Sequence, residues 1–500
     1  MTVNSLVSPT SAPAFEQILL KPRYRKDKSE IPYSETNWVD LLAANVVGEI
    51  HYYETVFSPT ITANITIVNP NVKSKIFEDF SLNGGELIIF KLKDIHTAEE
   101  KTKGIRFFGV VSQVTDYAAN NFAEVFRLRV TTEWEFPKGS GVEGNITGKT
   151  TDLAQQILGG AYNLNQNDIL IRESLVNSSS NQIPFFYDES SEVVNEFNIA
   201  REKKDNTMAI LMKLASLSKT APKGGREGTP GFFFYRNARG YFLRSIDGII
   251  EDGRLGLQPK NLPEGKDASD INFPAGELYT YRYEGYNPGI EGKEDFMESA
   301  FVAMFFKIQS NDYQVKHQLR LTGSFLSQDI NTLKYNMYES ISNEDSFEQY
   351  ATSLSSNVYS YTNYEDAANV NYYNKNIENL GLTYSFTETV GIGSTESIKF
   401  SVDPHSLKER NRRYAKIMAV SVTMVVPLNL NLLAGTMINV EIPKTVLGKE
   451  CTFENDAKPS DYQGLYIIAA VCHAMDVKKG YTSLHLVRDF GKLKSTQLES

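Results

Sequence analysis

The sequence predicts a mainly β protein with α+β insertions, organised around two tandem-related β-barrel domains. Three observations predict it. Aromatic residues make up 11% of the 500 positions, nearly all of them Tyr (27) and Phe (28), types that favour strands. Alternation of apolar and polar residues recurs in two blocks, 46–136 and roughly 380–490. The order of strands and glycine turns in the first block returns in the second.

Residues 1–45 read as an extended N-terminal arm. Pro9, Pro13, Pro22 and Pro32 punctuate it, and Lys21, Arg23, Arg25, Lys26 and Lys28 make it basic. The first barrel spans 46–136. Ile61, Ala63, Ile65 and Ile67 share one face of a strand, with Thr62, Asn64 and Thr66 on the other. Asn83-Gly84-Gly85 then marks a turn before Leu87–Phe90, followed by Arg106–Val114 and Val125–Val130.

A mixed α+β domain is expected over 137–260. Asp152–Leu158 reads as a short helix stopped by Gly159-Gly160, and Met208–Leu217 as a longer one capped by Asp205-Asn206-Thr207. Phe232–Tyr235 and Tyr241–Arg244 flank a turn supplied by Asn237 and Gly240, which reads as a hairpin. A mixed peripheral domain fills 261–379, with Ser355–Asn376 as a loop or loosely ordered strand. The second barrel and a C-terminal tail occupy 380–500. Met418, Val420, Val422, Met424 and Val426 share a strand face; Met437–Ile442, Gly464–His473 and Thr482–Arg488 follow, with Lys478-Lys479-Gly480 as the last turn.

The two blocks correspond in detail. Gly85 matches Gly435, the strand entered at Phe107-Phe108 matches the one entered at Leu465-Tyr466, and the closing strand around Leu128 matches the one around Leu484. Generic β-meanders imitate such a pattern; if the duplication is real, one chain carries two copies of one barrel.

Charge and cysteine usage limit the function classes. Lys and Arg total 51 against 61 Asp and Glu, a net charge of −10, which disfavours general binding to nucleic acid. Two cysteines are too few for a disulfide scaffold and fit folding in a reducing cytosol. The longest apolar runs, Ile417–Val420 and Leu465–Cys472, are far short of the roughly 20 residues of a spanning helix. The N-terminus lacks a basic start followed by an apolar run, so no signal peptide is expected.

Three motifs suggest chemistry and fall short of it. Gly144-Asn-Ile-Thr-Gly148-Lys149-Thr150 is one residue too short for a phosphate loop, and Glu143 stands where the first glycine belongs. A glycine-rich turn leading into a helix is the better reading. With a hairpin turning near Lys479, His473 and His485 are expected opposite each other and Cys472 on the other face. Two ligands do not make a zinc site, so a packed cross-strand pair is expected. No carboxylate pair stands out for glycoside cleavage. The two basic clusters, Lys21–Lys28 and Lys408–Lys416, are expected to contact neighbouring protein rather than DNA, with Arg23, Arg25, Lys26, Arg410, Arg412 and Arg413 as the candidate interface residues.

The final hundred residues carry the most specific signal. Leu430–Pro443 (LNLLAGTMINVEIP), Gly464–His473 (GLYIIAAVCH) and Leu484–Asp489 (LHLVRD) resemble the closing barrel of the baseplate hub proteins of T-even-like contractile-tailed bacteriophages. The sequence departs from the family at Ala434, where a proline or polar residue is frequent. The helix Met208–Leu217 followed by Gly231–Gly248 is similar to the middle of these hubs, and the first barrel fits them more weakly.

The resemblance implies tail-tube-like barrels and a structural protein that is not an enzyme and holds no cofactor. It implies a homotrimer in which six barrels ring a central channel and adapt a six-fold tail tube to a three-fold spike. The implied partners are the central spike protein, tail tube or tube-initiator proteins, baseplate wedge proteins and the tape-measure protein. DNA passes through without specific binding, and no membrane is involved. The implied location is the virion tail baseplate, assembled in the host cytoplasm, with a channel lining expected to be neutral to acidic. Two alternatives stand beside this: a tail-associated glycan-binding or glycan-cleaving protein, and the hub portion of a contractile secretion spike. Because the sequence ends soon after its last strand, any spike is expected on a separate chain.

Overall fold

The computed structural model describes residues 14–31, 38–70, 80–93, 104–119, 123–132, 145–161, 185–191, 193–198, 207–221, 229–255, 279–282, 303–310, 324–329, 335–339, 385–389, 420–441 and 462–488, together with Arg410, Arg413, Tyr414 and Ile417. The segment 355–376 and Arg412 lie outside the described residues. The protein is mainly β, with α+β elements between two strand-rich halves. No helix among the described residues is long and apolar enough to cross a membrane.

The first half holds β1 (Ala14–Lys21), β2 (Tyr24–Arg25), β3 (Val39–Asp40), β4 (Val47–Thr55), β5 (Thr62–Pro70), β6 (Phe80–Ser81), β7 (Leu87–Lys93), β8 (Ile105–Ala119) and β9 (Ala123–Thr131). Period-two alternation drives these strands. Along β5, Ala63, Ile65 and Ile67 are buried while Thr62, Asn64 and Thr66 stay partly exposed, as the sequence predicts. The strands wrap one core containing Ile18, Leu20, Ile50, Tyr52, Ile88, Phe90, Phe107 and Leu128. At its centre Tyr52 stands edge-on to Phe90 and Phe107, with ring centroids 6.1 and 5.9 Å away.

The connecting region holds β10 (Asn145–Lys149), α1 (Thr150–Ala161), β11 (Phe185–Tyr187), β12 (Val193–Asn198), α2 (Thr207–Leu217), β13 (Phe232–Asn237), β14 (Gly240–Ser245) and α3 (Ile246–Leu255). Every residue of strands β13 and β14 is buried. Phe233, Tyr235 and Phe242 join the core of the second half, while Phe232, Phe234, Tyr241 and Leu243 pack on Leu153, Ile157, Leu211 and Leu214 of α1 and α2. A strand pair covered on both faces reads as an unbroken apolar run, which is the pattern of Phe232–Tyr235. Helix α1 continues through Gly159-Gly160 to Ala161. Those glycines do not stop it, because packing of its apolar face outweighs the roughly 1 kcal/mol cost of a helical glycine.

The second half holds β15 (Thr280–Arg282), β16 (Phe305–Ser310), β17 (Ser324–Asp329), β18 (Tyr335–Glu339), β19 (Ser385–Thr389), β20 (Val420–Pro427), β21 (Met437–Glu441), β22 (Gly464–Asp476) and β23 (Gly480–Arg488). Strands β17, β18 and β19 form a small separate sheet. The others repeat the first half. Neighbours run β4-β5-β9-β8-β7-β1 in the first and β16-β20-β23-β22-β21-β15 in the second, with the members of each set in the same chain order. All these pairs are antiparallel except β15–β21, which is parallel where β1–β7 is antiparallel.

The equivalence extends to single residues. Gly85 N–H donates to Val111 O at 2.7 Å and Val111 N–H to Glu86 O at 2.8 Å; Gly435 N–H donates to Ile468 O at 2.9 Å and Ile468 N–H to Thr436 O at 2.8 Å. Both glycines have positive φ, 92° and 80°. A bulge follows at the same place, between Val111 and Gln113 and between Ile468 and Ala470. Leu128 pairs with Ile65 and Val114 as Leu484 pairs with Met424 and Val471.

The repeats reach beyond the expected blocks. Part of the expected N-terminal arm is β1, whose Ile18 and Leu20 are core residues, and β15 and β16 come from the expected peripheral domain. Strand β1 is framed by prolines and bulged between Phe15 and Gln17, so its alternation is broken locally and is completed only by pairing with β7. The halves are also fused. One edge of β22 pairs with β21 through Ile467 and then with β4, from Ala470 opposite Thr55 to Asp476 opposite Glu49.

Gly435 tests the turn that begins β21. A Cβ there would strike the buried Tyr235 ring, and the backbone φ of 80° is strained for any L side chain. Gly435→Ala is expected to lower unfolding free energy by about 3 kcal/mol in denaturant titration. A loss below about 1 kcal/mol would mean that Tyr235 moves aside.

Candidate functional site

The polar centre of the molecule lies where both repeats and the β13–β14 hairpin meet. Glu54 sits on β4, in line with the inward-facing Ile50 and Tyr52, and is buried. Its Oε1 accepts hydrogen bonds from Tyr52 Oη–H at 2.6 Å and from the Ala238 N–H, at the hairpin tip, at 2.6 Å. Its Oε2 accepts from the Ala434 N–H, in the turn before β21, at 3.0 Å. One carboxylate from the first repeat thus ties down a backbone donor of each other module. Asn237 closes the ring of contacts, donating to Ala434 O at 3.0 Å and accepting from Arg239 N–H at 2.8 Å. The tight Asn237–Gly240 turn is what carries these donors into the junction.

Arg239 is buried beside Glu54 and donates to Gly104 O at 3.1 Å. Burial lowers its pKa to about 10, opposed by the neighbouring Glu54 carboxylate. Burial raises the Glu54 carboxyl to about 7, against the pull of its three donors and Arg239. Tyr52 also stacks on His473, with ring centroids 6.1 Å apart. His473 is held neutral, its pKa pushed down to about 3 by burial, and its Nδ1 lies 3.0 Å from Thr482 Oγ1. With every Glu54 oxygen engaged and the residue 2% exposed, the junction acts as a clamp between modules. Ala434, where the resemblance marks a departure, is explained here: a proline would remove the N–H that Glu54 accepts.

Above the junction lies an open groove of about 660 Å³ on the solvent face of the fused sheet. Equivalent positions of the two repeats line it: Asn64 with Thr423, Arg127 with Ser483, and Arg129 with His485.

The basic clusters divide. Arg23 pairs with Glu30 at 2.7 Å and packs over Gly85, while Arg25 and Lys26 are exposed on a turn. Arg413 is buried and ion-paired with Asp247. Arg410 donates to Ser216 O at 2.8 Å, and Tyr414 donates to Phe232 O. The described arginines of the second cluster thus face the chain's own connecting region.

The motifs resolve physically. Asn145–Lys149 is an extended strand paired with β12, and buried Thr150 begins α1 with its Oγ1 2.7 Å from Ser218 Oγ. Cys472 and His473 face opposite sides, as expected, but His473 lies opposite Thr482 and His485 opposite Ala470. The expected histidine pair fails because the hairpin turns earlier, where Asp476 Oδ1 accepts from the N–H groups of Lys478 and Lys479 at 2.7 and 2.9 Å. Among the described residues no cluster of three or more His, Cys, Asp or Glu side chains suits a metal ion. The Glu54 junction was missed in the sequence; the signal for it is an acidic residue on the inward face of an alternating strand.

No family model matches the chain, and no curated protein matches it. Among solved structures, it is similar to the 43 kDa tail protein of prophage MuSo2 from Shewanella oneidensis, at 9% identity and a TM-score of 0.42, covering 95% of this chain and 98% of that one. A tail protein from Neisseria meningitidis MC58 aligns at 8% identity and a TM-score of 0.42, over 95% and 98% of the two chains. The c3393 protein of the E. coli type VI secretion system aligns at 9% identity and a TM-score of 0.36, over 89% and 73%.

The clamp has a pH signature. Glu54 has a folded pKa of about 7 against 4.5, so its contribution to stability is full below pH 4.5 and is lost as pH rises through about 7. Glu54→Gln removes that slope. Between pH 5 and 8 the wild type is expected to lose up to about 3 kcal/mol relative to this variant. His473 works in the other direction: held neutral to about pH 3, it stabilises above pH 6.5 and loses that contribution as pH falls. Denaturant titrations of His473→Phe and wild type between pH 4 and 7 should diverge towards acid. Parallel curves would show that the imidazole reaches water.

Proposed function

We propose that this chain is a structural hub subunit of a contractile phage tail, forming a trimeric ring that adapts a six-fold tail tube to a three-fold spike around the DNA channel. The observation that carries this reading is the fused pair of repeats. One chain presents two copies of one strand order in one continuous sheet; three chains present six, the number a six-fold tube requires. The motifs resembling tail hubs support it, because they fall on the β13–β14 hairpin, the Gly435 turn and the β22–β23 hairpin, which hold the repeats together. The role is structural rather than enzymatic, in the virion tail, with spike, tube or tube-initiator, wedge and tape-measure proteins as partners.

In this reading the open face of the fused sheet lines the channel. Around the groove and the β4–β22 seam, Arg127, Arg129 and Lys307 stand beside Glu49, Asp116 and Asp476, a mixed face in keeping with the neutral-to-acidic lining expected. A mixed face allows a duplex to slide, since affinity needs many neutralised phosphates.

Light scattering of the full chain across concentration, beside images of the particle along its axis, is expected to give three copies in the ring; six identical chains would overturn the reading. Of the described candidate interface residues, Arg25 and Lys26 are exposed. Arg25→Ser with Lys26→Ser should weaken assembly into the tail and leave duplex DNA affinity negligible at all salt concentrations. Salt-sensitive DNA binding by the wild type, lost in this variant, would make the arm a nucleic-acid contact instead.

A further inference from the structure

The groove of about 660 Å³ crosses the seam between the repeats, and its two sides differ in chemistry. Its floor is the middle of the fused sheet, β9-β5-β4-β22-β23, in which every strand is paired on both edges. On the first repeat, Gln113, Arg129 and Asn64 stand in one cross-strand row, so a guanidinium lies between two amides. Arg127 lies two residues along the same face and pairs with Asp116 at 3.2 Å, whereas no described carboxylate pairs with Arg129, which is exposed. On the second repeat the equivalent positions are Ser483 and His485, without a permanent charge. Between the two sides Tyr53 and Thr62 add hydroxyls in register with Ser483.

Such a lining excludes three classes of ligand. Duplex DNA needs many neutralised phosphates, and the described lining offers the guanidiniums of Arg127 and Arg129, the first already paired. A single strand needs several aromatic platforms, and among the described residues Tyr53 is the only Phe, Tyr or Trp of the groove. A bound peptide adds a strand to a free edge, lays an apolar helix face into an apolar groove, or docks proline rings on aromatic walls. A floor of paired strands carrying hydroxyls and amides suits none of these.

We propose that the groove binds an acidic oligosaccharide, with a uronic-acid carboxylate on Arg129 and uncharged sugar hydroxyls along Tyr53, Thr62 and Ser483. Hydroxyl side chains both donate and accept hydrogen bonds, and an amide offers one group of each kind, which matches the donors and acceptors of a sugar. A guanidinium flanked by two amides gives a carboxylate charge-assisted hydrogen bonds with further donors beside them. From β9 to β23 is four strand spacings of about 4.8 Å, roughly 19 Å, the span of several sugar rings rather than one. The inference goes beyond the ring reading and does not depend on it.

Calorimetric titration of the full chain with tetragalacturonate tests it. Binding is expected, with two probes each about tenfold weaker: maltotetraose, which has the hydroxyls without the carboxylates, and hexaglutamate, which has the carboxylates without the sugar hydroxyls. Arg129→Gln is expected to weaken tetragalacturonate about tenfold, and Ser483→Leu, on the uncharged side, to weaken it as well. Lys479→Gln, an exposed cation in the β22–β23 turn outside the groove, should leave binding unchanged. Absence of heat up to about 10 mM saccharide overturns the proposal. Hexaglutamate binding as tightly as the saccharide overturns it in favour of a peptide carboxylate, and equal losses in Arg129→Gln and Lys479→Gln overturn it in favour of diffuse charge. None of these results bears on the number of chains in the ring, which light scattering reads separately.

Discussion

One edge of β22 is divided between two partners: β21 takes Gly464–Ile467 and β4 takes Ala470–Asp476. Most of what is particular to this molecule depends on that division. Backbone groups on a buried strand edge need hydrogen-bond partners, and the extension of β22 past β21 leaves seven residues whose partner has to come from elsewhere in the chain. The bulge at Ala469 marks the handover, with Val56 N–H donating to Ala469 O at 2.9 Å. Because the partner is β4, the two repeats become one sheet instead of two domains on a linker.

Fusing the repeats creates a buried corner with backbone donors pointing into it. Glu54 answers two of them, from Ala238 and Ala434, and links both to Tyr52. A carboxylate is suited to this because it accepts from several donors at once, where a neutral amide would turn donors towards donors. The same burial that raises the Glu54 pKa depresses that of His473 on the far side of Tyr52. Their pH dependences oppose each other, and both groups are held by contacts spanning the joint.

The β13–β14 hairpin makes the joint cooperative. Its two faces belong to different cores, one shared with the second repeat and one with α1 and α2. Leu428, Leu430 and Met475 of the second repeat also sit in the core of the first. None of these layers can be removed without exposing apolar surface in another, so the repeats and the connecting region are expected to unfold together.

The class of fold was legible because strand periodicity is local: Ile61 to Ile67 alternate whatever surrounds them, and Phe232–Tyr235 announces a strand covered on both sides. The duplication was legible through Gly85 and Gly435, since a turn at positive φ strongly favours glycine in both copies. Recruitment of β1, β15 and β16 was not, because a bulge interrupts the alternation of β1 and the strands β15 and β16 carry little pattern until a neighbour supplies the other half of their hydrogen bonds. The register of the last hairpin escaped as well; the Asp476 side chain decides where that turn closes, and a shift of one or two residues separates His473 from His485. By itself, then, the sequence determined the longer alternating strands and their faces and pointed to two copies, all through residues near one another in the chain. Only the tertiary structure decided that Glu54 meets Ala238 and Ala434, that Arg413 turns inward to Asp247, and that one strand edge joins the halves, because those contacts link residues more than 150 positions apart.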